Sequence, residues 1–290
     1  MAMMDFITFL NGHDVFLLII TICLSLLIGS FLNVVIYRLP RMMETEWAEE
    51  CRIYLGLQPP SAQEKLNLCL PWSHCPHCKV IIKPWHNIPL LSFWWLRGQC
   101  AFCHAPISMR YPLVEAITMI ASVYVIWHFG VTLMGFFALL FTWIAITLTF
   151  IDLERHLLPD HLTLLLLWLG LLASIGHVFC SSEEAIIGAM AGYFVFALTQ
   201  MVFGFATGKL GMGRGDFKFL AAIGAFVGWQ LLPFVILFAS IAGIIFALIH
   251  MSMRKQYRSV PIPFGPYLAL AGWLALMFRP EVFELYAKLT

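Results

Sequence analysis

The sequence predicts an all-α polytopic membrane protein, with about eight transmembrane helices and a small soluble insertion between the first two. Of the 290 residues, 61% are hydrophobic and 11% are charged, and apolar runs of span length recur along the chain. Soluble domains contain about 45–50% apolar and about 25% charged residues. The net charge of +1 gives no reason to expect a nucleic-acid partner. Because apolar runs of span length recur, we expect membrane lipid as the surroundings.

The apolar runs define the expected spans, since about 20 apolar residues cross a bilayer as a helix. The first run is too long for the apolar core of a signal peptide and lacks a small-residue cleavage site, so we expect a retained span. The sixth run is short and fits either a half-span or a tilted helix beside a site. The eight expected spans are residues 15–36, 112–129, 131–151, 161–179, 185–206, 217–229, 231–250 and 262–279.

The basic residues predict the orientation, because Lys and Arg concentrate in cytoplasmic loops. With the N-terminus outside, and Lys218 counted with the inner loops, 15 of the 17 Lys and Arg residues lie inside. Only Arg279 and Lys288 then lie outside. The inner loops are residues 37–111, 152–160, 207–216 and 251–261. We therefore expect the aspartates Asp152 and Asp216 at one cytoplasmic edge of the membrane.

Four cysteines in the insertion are spaced like the ligands of a zinc ribbon. Cys75 and Cys78 form one CxxC pair, Cys100 and Cys103 form a second, and 21 residues separate the pairs. The usual gap is roughly 15–20 residues, and a loop absorbs the excess. Two disulfides or idle thiols are the alternatives, but a cytoplasmic loop lies in a reducing compartment. We expect a structural Zn²⁺, because four sulfur ligands leave no open position for water.

The expected domains are therefore an N-terminal transmembrane helix (1–36), a cytoplasmic zinc-ribbon-like domain (37–111) and a seven-helix membrane catalytic domain (112–290). Nearby histidines are possible replacement ligands, although such residues are more often surface groups: His74, His77, His86 and His104. The other cysteines carry no assigned chemistry: Cys23, Cys51, Cys69 and Cys180.

Two aspartates adjoin apolar runs and are the candidate catalytic residues. Asp152 ends the third run, and Asp216 follows a glycine-rich turn that contains Gly213 and Gly215. Ionisable residues at membrane depth are costly and mark functional sites by default. A close pair of carboxylates shares one proton, which supplies a base to activate water and an acid for a leaving amine. Asp216 also fits an N-cap of the helix expected from residue 217.

The glycine turn and its neighbours fit more than one role. Alternate glycines let a backbone approach closely, and the turn follows an apolar span, so it is not a dinucleotide-binding fingerprint. Lys218 fits a residue that tunes the pair, one that holds a substrate carboxylate, or one that reaches to the interface. Asp160 follows Pro159 and fits a helix cap.

Seven sequence features in a fixed order carry a resemblance that covers most of the chain. They are Gly29–Pro40, the four cysteines, Arg110–Glu115, Ile151-Asp152, Leu158-Pro159-Asp160, Gly213-Arg214-Gly215-Asp216 with Lys218, and Pro263-Phe264-Gly265-Pro266. The set is similar to that of the bacterial type IV prepilin peptidases. The GxGD motif alone is short, whereas the whole set in this order is specific.

The resemblance implies an inner-membrane aspartyl protease that removes the basic leader of prepilins and pseudopilins and then methylates the new N-terminal residue with S-adenosylmethionine. It places the family's catalytic residues on Asp152 and Asp216 and its zinc ligands on the four cysteines. Glu115 then fits a partner for a basic group of the leader or for Lys218, or an ion pair that holds the helices together. The sequence leaves open the donor-binding residues, the particular pilin and the oligomeric state.

Three rival classes fit the sequence less well. Presenilin-like proteases pair GxGD with Tyr-Asp and Pro-Ala-Leu motifs, whereas Ile151 precedes Asp152 here and Pro-Ala-Leu does not occur. Archaeal preflagellin peptidases lack the cysteine domain. A transporter usually places its carboxylates near the midplane and contains a repeat between its halves, neither of which the sequence predicts.

Overall fold

A computed structural model describes residues 14–57, 66–208, 211–254 and 262–289. Residues 1–13, 58–65, 209–210, 255–261 and 290, which include parts of three expected inner loops, lie outside the described residues. The helices are α1 (Asp14–Tyr54), α2 (Leu91–Trp95), α3 (Arg110–Phe129), α4 (Leu133–Arg155), α5 (Asp160–Ile175), α6 (Ser182–Thr207), α7 (Arg214–Val227), α8 (Leu232–Arg254), α9 (Gly265–Met277) and α10 (Arg279–Leu289). Within the described part of the chain, β-structure is limited to two isolated bridges.

Each of the eight expected spans coincides with a helix, which confirms the all-α membrane class. Five of the described helices, or segments around them, are long and apolar enough to cross a membrane. They are Asp14–Tyr54, Arg110–Phe129, Leu133–Arg155, Ser182–Thr207 and Trp229–Ser252. Three others are shorter, with 16 residues in α5, 14 in α7 and 13 in α9. The protein is therefore a multi-pass membrane protein.

Helix α1 continues well beyond the predicted end of the first span at residue 36. It has 41 residues and includes Pro40. The apolar run ends near Ile36, but the residues from Arg41 to Tyr54 contain several good helix formers, so a polar helix follows the apolar one without a break. Hydropathy detects only the part of a helix that fits in lipid, so the predicted span ended at residue 36 although the helix continues to Tyr54.

The described chain divides into two compact units, Met1–Ile126 and Trp127–Thr290. The first unit groups the first helix with the insertion, so the separate domains 1–36, 37–111 and 112–290 remain a prediction. In the second unit, α7 packs against α5, α6 and α9. Of its 14 residues, 11 are buried. A helix surrounded by protein has no need of span length, which explains the short sixth run.

Close backbone contact between α6 and α7 depends on glycine. A Cβ added at Gly188 would lie 2.9 Å from the carbonyl carbon of Gly224 and would overlap its oxygen. A Cβ at Gly192 would lie 2.7 Å from the carbonyl oxygen of Leu220. Gly188 and Gly192 are four residues apart, so they form the small-residue spacing that membrane helices use for close approach.

Candidate active site and metal centre

Asp152 lies near the end of α4 with its side chain directed into the second unit. The residue is 5% exposed. Its Oδ2 accepts a hydrogen bond of 2.9 Å from the backbone N–H of Gly265, at the start of α9. A Cβ at Gly265 would lie 2.7 Å from that oxygen. The carboxylate therefore fits against bare backbone, and a larger residue at position 265 would displace it.

Leu158 connects the surroundings of the two candidate aspartates. A Cβ at Gly265 would lie 3.0 Å from Leu158 Cδ2, and a Cβ at Gly215 would lie 2.8 Å from Leu158 Cβ. Leu158 is itself buried. One leucine side chain thus packs against the glycine beside Asp152 and against the glycine that precedes Asp216.

Asp216 lies in the first turn of α7 and is 8% exposed. The alternative assignment of Asp216 as the N-cap is wrong, because the helix begins at Arg214 and its N-cap is Gly213, without a side-chain capping bond. The backbone N–H of Asp216 donates to the carbonyl of Gly213 over 3.2 Å. The glycine turn therefore satisfies the start of the helix with backbone groups and leaves the Asp216 carboxyl available for chemistry.

The two carboxyl groups influence each other. Asp216 lies outside the five helices of span length. Its pKa is raised to about 7, mainly by burial and to a lesser extent by the negative charge of Asp152. Like charges that are close together cannot both ionise easily, so one carboxyl of such a pair keeps a proton near neutral pH. The arrangement has the parts that general acid-base chemistry needs, one protonated carboxyl and one ionised carboxylate.

Lys218 contacts a different carboxylate from the one expected. Its Nζ donates to Oδ2 of Asp160 over 2.6 Å, and both side chains are partly exposed. The prediction that Asp160 caps a helix is wrong, because Pro159 occupies the N-cap of α5 and Asp160 is the first helical residue. A role for Lys218 beside the aspartate pair stays a prediction.

Glu115 belongs to the first unit, where it lies on α3. Its Oε2 accepts a hydrogen bond of 2.8 Å from the backbone N–H of Leu90. The hydroxyl of Ser30 is a second hydrogen-bonding partner. The residue is 8% exposed. Its assignment as a support of the peptidase site stays a prediction.

The four expected zinc ligands lie together in the first unit. The sulfur atoms of Cys75, Cys78, Cys100 and Cys103 all lie within 4.8 Å of one another. The Cys75 and Cys103 sulfurs are 3.8 Å apart. Four thiolates at about 2.3 Å from one tetrahedral ion are themselves about 3.8 Å apart, whereas a disulfide requires about 2.05 Å. The cysteines are free thiols with the spacing of a metal site, and the disulfide alternative is excluded.

Two matching hairpins hold these sulfurs. The Cys75 N–H donates to Val80, and the Cys100 N–H donates to Ala105, five residues on in each case. Lys79 and His104 occupy equivalent left-handed positions, with φ of 60° and 55°. Donation from the backbone N–H of Cys78 lowers the pKa of the Cys75 thiol to about 6. The Cys75 sulfur is thereby favoured as a thiolate, the form that binds metal, whereas the neighbouring cysteines contribute to raising the pKa of Cys103 to about 11. Among the described residues, the cluster contains no histidine.

The site includes residues that the sequence did not identify individually. Gly265 and Leu158 contact the aspartates or their neighbours, but they are apolar or lack a side chain, so their types suggest no chemistry. The available signal was the segment Pro263-Phe264-Gly265-Pro266, which is a helix start with a glycine between two prolines.

Comparison with known proteins identifies the family of the chain. Residues 23–129 match the Bacterial Peptidase A24 N-terminal domain, and residues 139–248 match the Type IV leader peptidase family. A protein of Pseudomonas aeruginosa named prepilin leader peptidase/N-methyltransferase is 47% identical over 98% of both chains. Proteins with the same name from Aeromonas hydrophila and Legionella pneumophila are 51% and 46% identical, each over 90% of this chain and 91% of their own. No solved structure matches the chain. The chain belongs to the type IV leader peptidase family.

Proposed function

We propose that this protein removes the leader peptide of type IV prepilins and pseudopilins and then N-methylates the new N-terminal residue with S-adenosylmethionine. The observation that carries the peptidase half is the pair of buried carboxyl groups, Asp152 on α4 and Asp216 on α7, in which burial, and then the charge of Asp152, raises the pKa of Asp216. Relatives of similar length carry both activities in their name.

The chemistry follows from the protonation of the pair. The pKa of Asp216 is raised to about 7, so a large fraction of this carboxyl carries a proton near neutral pH, and we assign it the acid role and Asp152 the base role. The Asp152 carboxylate takes a proton from water as the water oxygen attacks the scissile carbonyl carbon. Asp216 gives its proton to the amide nitrogen as the C–N bond breaks, which leaves a carboxylic acid and an amine.

The surroundings of the pair support this assignment. The hydrogen bond from Gly265 orients the Asp152 carboxylate, and the packing of Leu158 against Gly215 and Gly265 holds the backbone next to both aspartates. Gly213 and Gly215 therefore act through the backbone, by starting α7 and by allowing close packing. Preorganised groups of this kind need little rearrangement during the reaction.

We place the site at the cytoplasmic edge of the bacterial inner membrane. The support is the distribution of Lys and Arg, with 15 of 17 in the loops of one side. A prepilin with an apolar N-terminal helix and a basic leader suits such a site, because its helix remains in lipid while its leader lies in water. The scissile bond then lies at the boundary between the two.

We propose that Cys75, Cys78, Cys100 and Cys103 hold a structural Zn²⁺. The support is the tetrahedral spacing of their sulfurs and the thiolate-favouring backbone N–H groups around Cys75. When bound, S-adenosylmethionine supplies an electrophilic methyl group for the amine that cleavage releases.

The test is cleavage of a prepilin by the purified protein in detergent, with S-adenosylmethionine present or absent. Asp152→Asn and Asp216→Asn should each lower cleavage by about a hundredfold to ten-thousandfold, the usual contribution of general acid-base catalysis. Glu183→Gln, which changes an exposed carboxylate of the same unit, is the matched control and should cleave normally. Methylation is measured separately on a substrate that already lacks its leader.

Two outcomes would contradict the proposal. Cleavage at the wild-type rate by a folded Asp152→Asn or Asp216→Asn protein would remove that aspartate from the mechanism. Failure of folded, zinc-containing wild type to cleave any of several prepilins would reject the peptidase function itself.

A further inference from the structure

The first unit contains a cavity of about 510 Å³. Sites for small molecules and cofactors have volumes of about 300–1,000 Å³ and combine apolar walls with a few polar groups. This cavity has that composition. Aromatic rings and aliphatic side chains form most of its wall, Asn33 is among its polar residues, and its charged residues are Arg38, Arg41, Lys79 and Glu115.

One face of α1 forms a side of the cavity. The residues concerned recur at intervals of three and four, which places them on one side of a helix. They are Ser30, Asn33, Val34, Tyr37, Arg38 and Arg41. Facing residues come from the start of α3, from α2 and from both cysteine hairpins, where Cys75 and Cys100 themselves contribute. The proposed metal site therefore holds part of the cavity wall in place.

Asn33 supplies an acceptor that the protein leaves unused. The residue is 3% exposed, and its Nδ2 donates to the carbonyl of Tyr111 over 3.0 Å. That bond fixes the orientation of the amide, because a flipped amide would place oxygen against oxygen. Among the residues that the structure describes, Asn33 Oδ1 has no hydrogen-bond partner. A buried acceptor without a donor is unfavourable, so this atom indicates a ligand that carries an N–H group.

Glu115 adds a buried carboxylate to the same cavity. Its two protein partners are the Leu90 N–H and the Ser30 hydroxyl. An ionised carboxylate has about four acceptor positions, so capacity for a ligand remains. The rings of Tyr37, Tyr111 and Phe102 also line the cavity. Cationic side chains of the protein already lie over these rings, Arg41 at 3.7 Å, Arg110 at 4.7 Å and Lys83 at 5.9 Å respectively. Glu115 is the acidic residue of the cavity wall, so a ligand cation is assigned to its carboxylate.

We propose that this cavity binds the methyl donor, a nucleoside that carries a sulfonium cation, as in S-adenosylmethionine. The proposal rests on the methyl-transfer half of the proposed function. Asn33 Oδ1 accepts an N–H of the donor, and the Glu115 carboxylate lies against its positive charge. The aromatic side chains cover the nucleoside. Glu115, which the sequence placed beside the peptidase, is thereby a binding residue for the donor.

The experiment measures donor binding directly, by isothermal titration of the full-length, zinc-containing protein in detergent. The ligands are S-adenosylmethionine and S-adenosylhomocysteine, which differ by the methyl group and the sulfonium charge. Val34→Phe should fill the cavity and weaken binding of both ligands by about tenfold or more. Val15→Phe is the matched control, because it makes the same change on the same helix at a residue that is 72% exposed; its binding should equal that of the wild type.

The charge is tested by Glu115→Gln, which keeps the size of the side chain. We expect affinity for S-adenosylmethionine to fall by about ten- to a hundredfold, the usual loss for a charged contact. Affinity for S-adenosylhomocysteine, which lacks the charge, should fall much less. A merely structural role of Glu115 would lower both affinities equally, so equal losses would overturn its assignment as the partner of the cation.

Cross-linking tests the location without a variant. Radiolabelled donor is attached to the wild type by ultraviolet light, and the labelled peptides are mapped. Label in peptides covering residues 30–41 or 92–115 supports the cavity, and label confined to residues 127–290 overturns it.

If Val34→Phe binds the donor like the wild type in the titration, the inference about the cavity fails while the methyl-transfer function stands. If a wild type that cleaves prepilin neither binds donor nor methylates, the methyl-transfer function fails with it.

Discussion

The cysteine hairpins and helix α7 both carry candidate chemistry, but they are built in opposite ways. Between residues 66 and 109, only Cys75 and Pro89 are buried. In α7, 11 of 14 residues are buried, and α5, α6 and α9 surround it. A segment without an apolar core needs a cross-link to keep its shape. A helix buried on nearly every side instead needs neighbours that fit its surface closely.

The comparison separates two kinds of vulnerability. Loss of the proposed metal removes the interaction that holds the hairpins, while added volume in the α6–α7 contact displaces a backbone. The first change should leave α7 intact, and the second should leave the hairpins intact.

Removal of zinc should unfold the hairpins. Structural zinc sites contribute apparent free energies of about 10–16 kcal/mol near neutral pH, more than two buried side chains provide. After chelation, or in Cys78→Ser, limited proteolysis should cut within residues 66–109 while the fragment from 127 onward stays protected. Cys69→Ser, which changes an exposed thiol outside the cluster, is the control. Equal protection with and without verified metal would reject a structural zinc.

Gly188→Val should destabilise the second unit. The added side chain would meet the backbone of Gly224, which cannot rotate away as a side chain would. We expect a loss of about 3 kcal/mol or more, at the upper end of the cost of overpacking. Thermal unfolding in detergent measures it, with Met190→Val at an exposed position of α6 as the control. An unchanged unfolding temperature would show that the close α6–α7 contact does not exist.

Cleavage should decline as the pH rises through about 7. The pKa of Asp216 is raised to about 7, so below that pH the carboxyl holds the proton that the leaving amine requires. Above that pH both carboxyl groups are ionised and the acid is lost. Initial rates across pH 5.5–9, at saturating prepilin, measure the effect, and about a tenfold fall per pH unit is expected above the pKa. A rate that increases up to pH 9 would contradict the assignment of Asp216 as the acid.

The Lys218–Asp160 ion pair should contribute little to stability. The side chains are 29% and 54% exposed, and exposed pairs contribute about 0–1 kcal/mol. A double-mutant cycle with Lys218→Met and Asp160→Asn, followed by thermal unfolding, should give a coupling energy below about 1 kcal/mol. A larger coupling would indicate that the pair fixes the start of α7 beside Asp216.

Much of the fold could be predicted because lipid imposes a simple requirement on sequence. Apolar runs located eight of the described helices but not α2 or α10, and paired CxxC segments located the metal-ligand cluster. The end of α1 could not be found in this way, since the polar helix beyond residue 36 has no hydropathy signal. Asp216 was read partly as a cap because sequence does not show that backbone groups of Gly213 already serve that position.

The contacts that shape the site could not be predicted, because they join distant parts of the chain. Asp152 and Gly265 are separated by 113 positions, and a glycine gives no sign of the carboxylate it accommodates. The sequence likewise gives no sign of the contact between Gly188 and Gly224, since a glycine fits many structural roles. The donor-binding residues were missed for a related reason: Asn33 lies in an apolar run, and its unused oxygen is visible only in three dimensions.

The positions of the α1 residues that line the cavity show how far the cavity extends along the helix axis. Ser30 lies within the apolar run 15–36, and Arg41 lies beyond it. At 1.5 Å per residue these positions are about 16 Å apart along the axis, roughly half the thickness of the hydrocarbon core. The cavity therefore extends across a gradient of polarity within one rigid element. A molecule inside it is therefore ordered by that gradient, with its more polar part toward Arg41 and water and its less polar part toward Ser30 and the lipid.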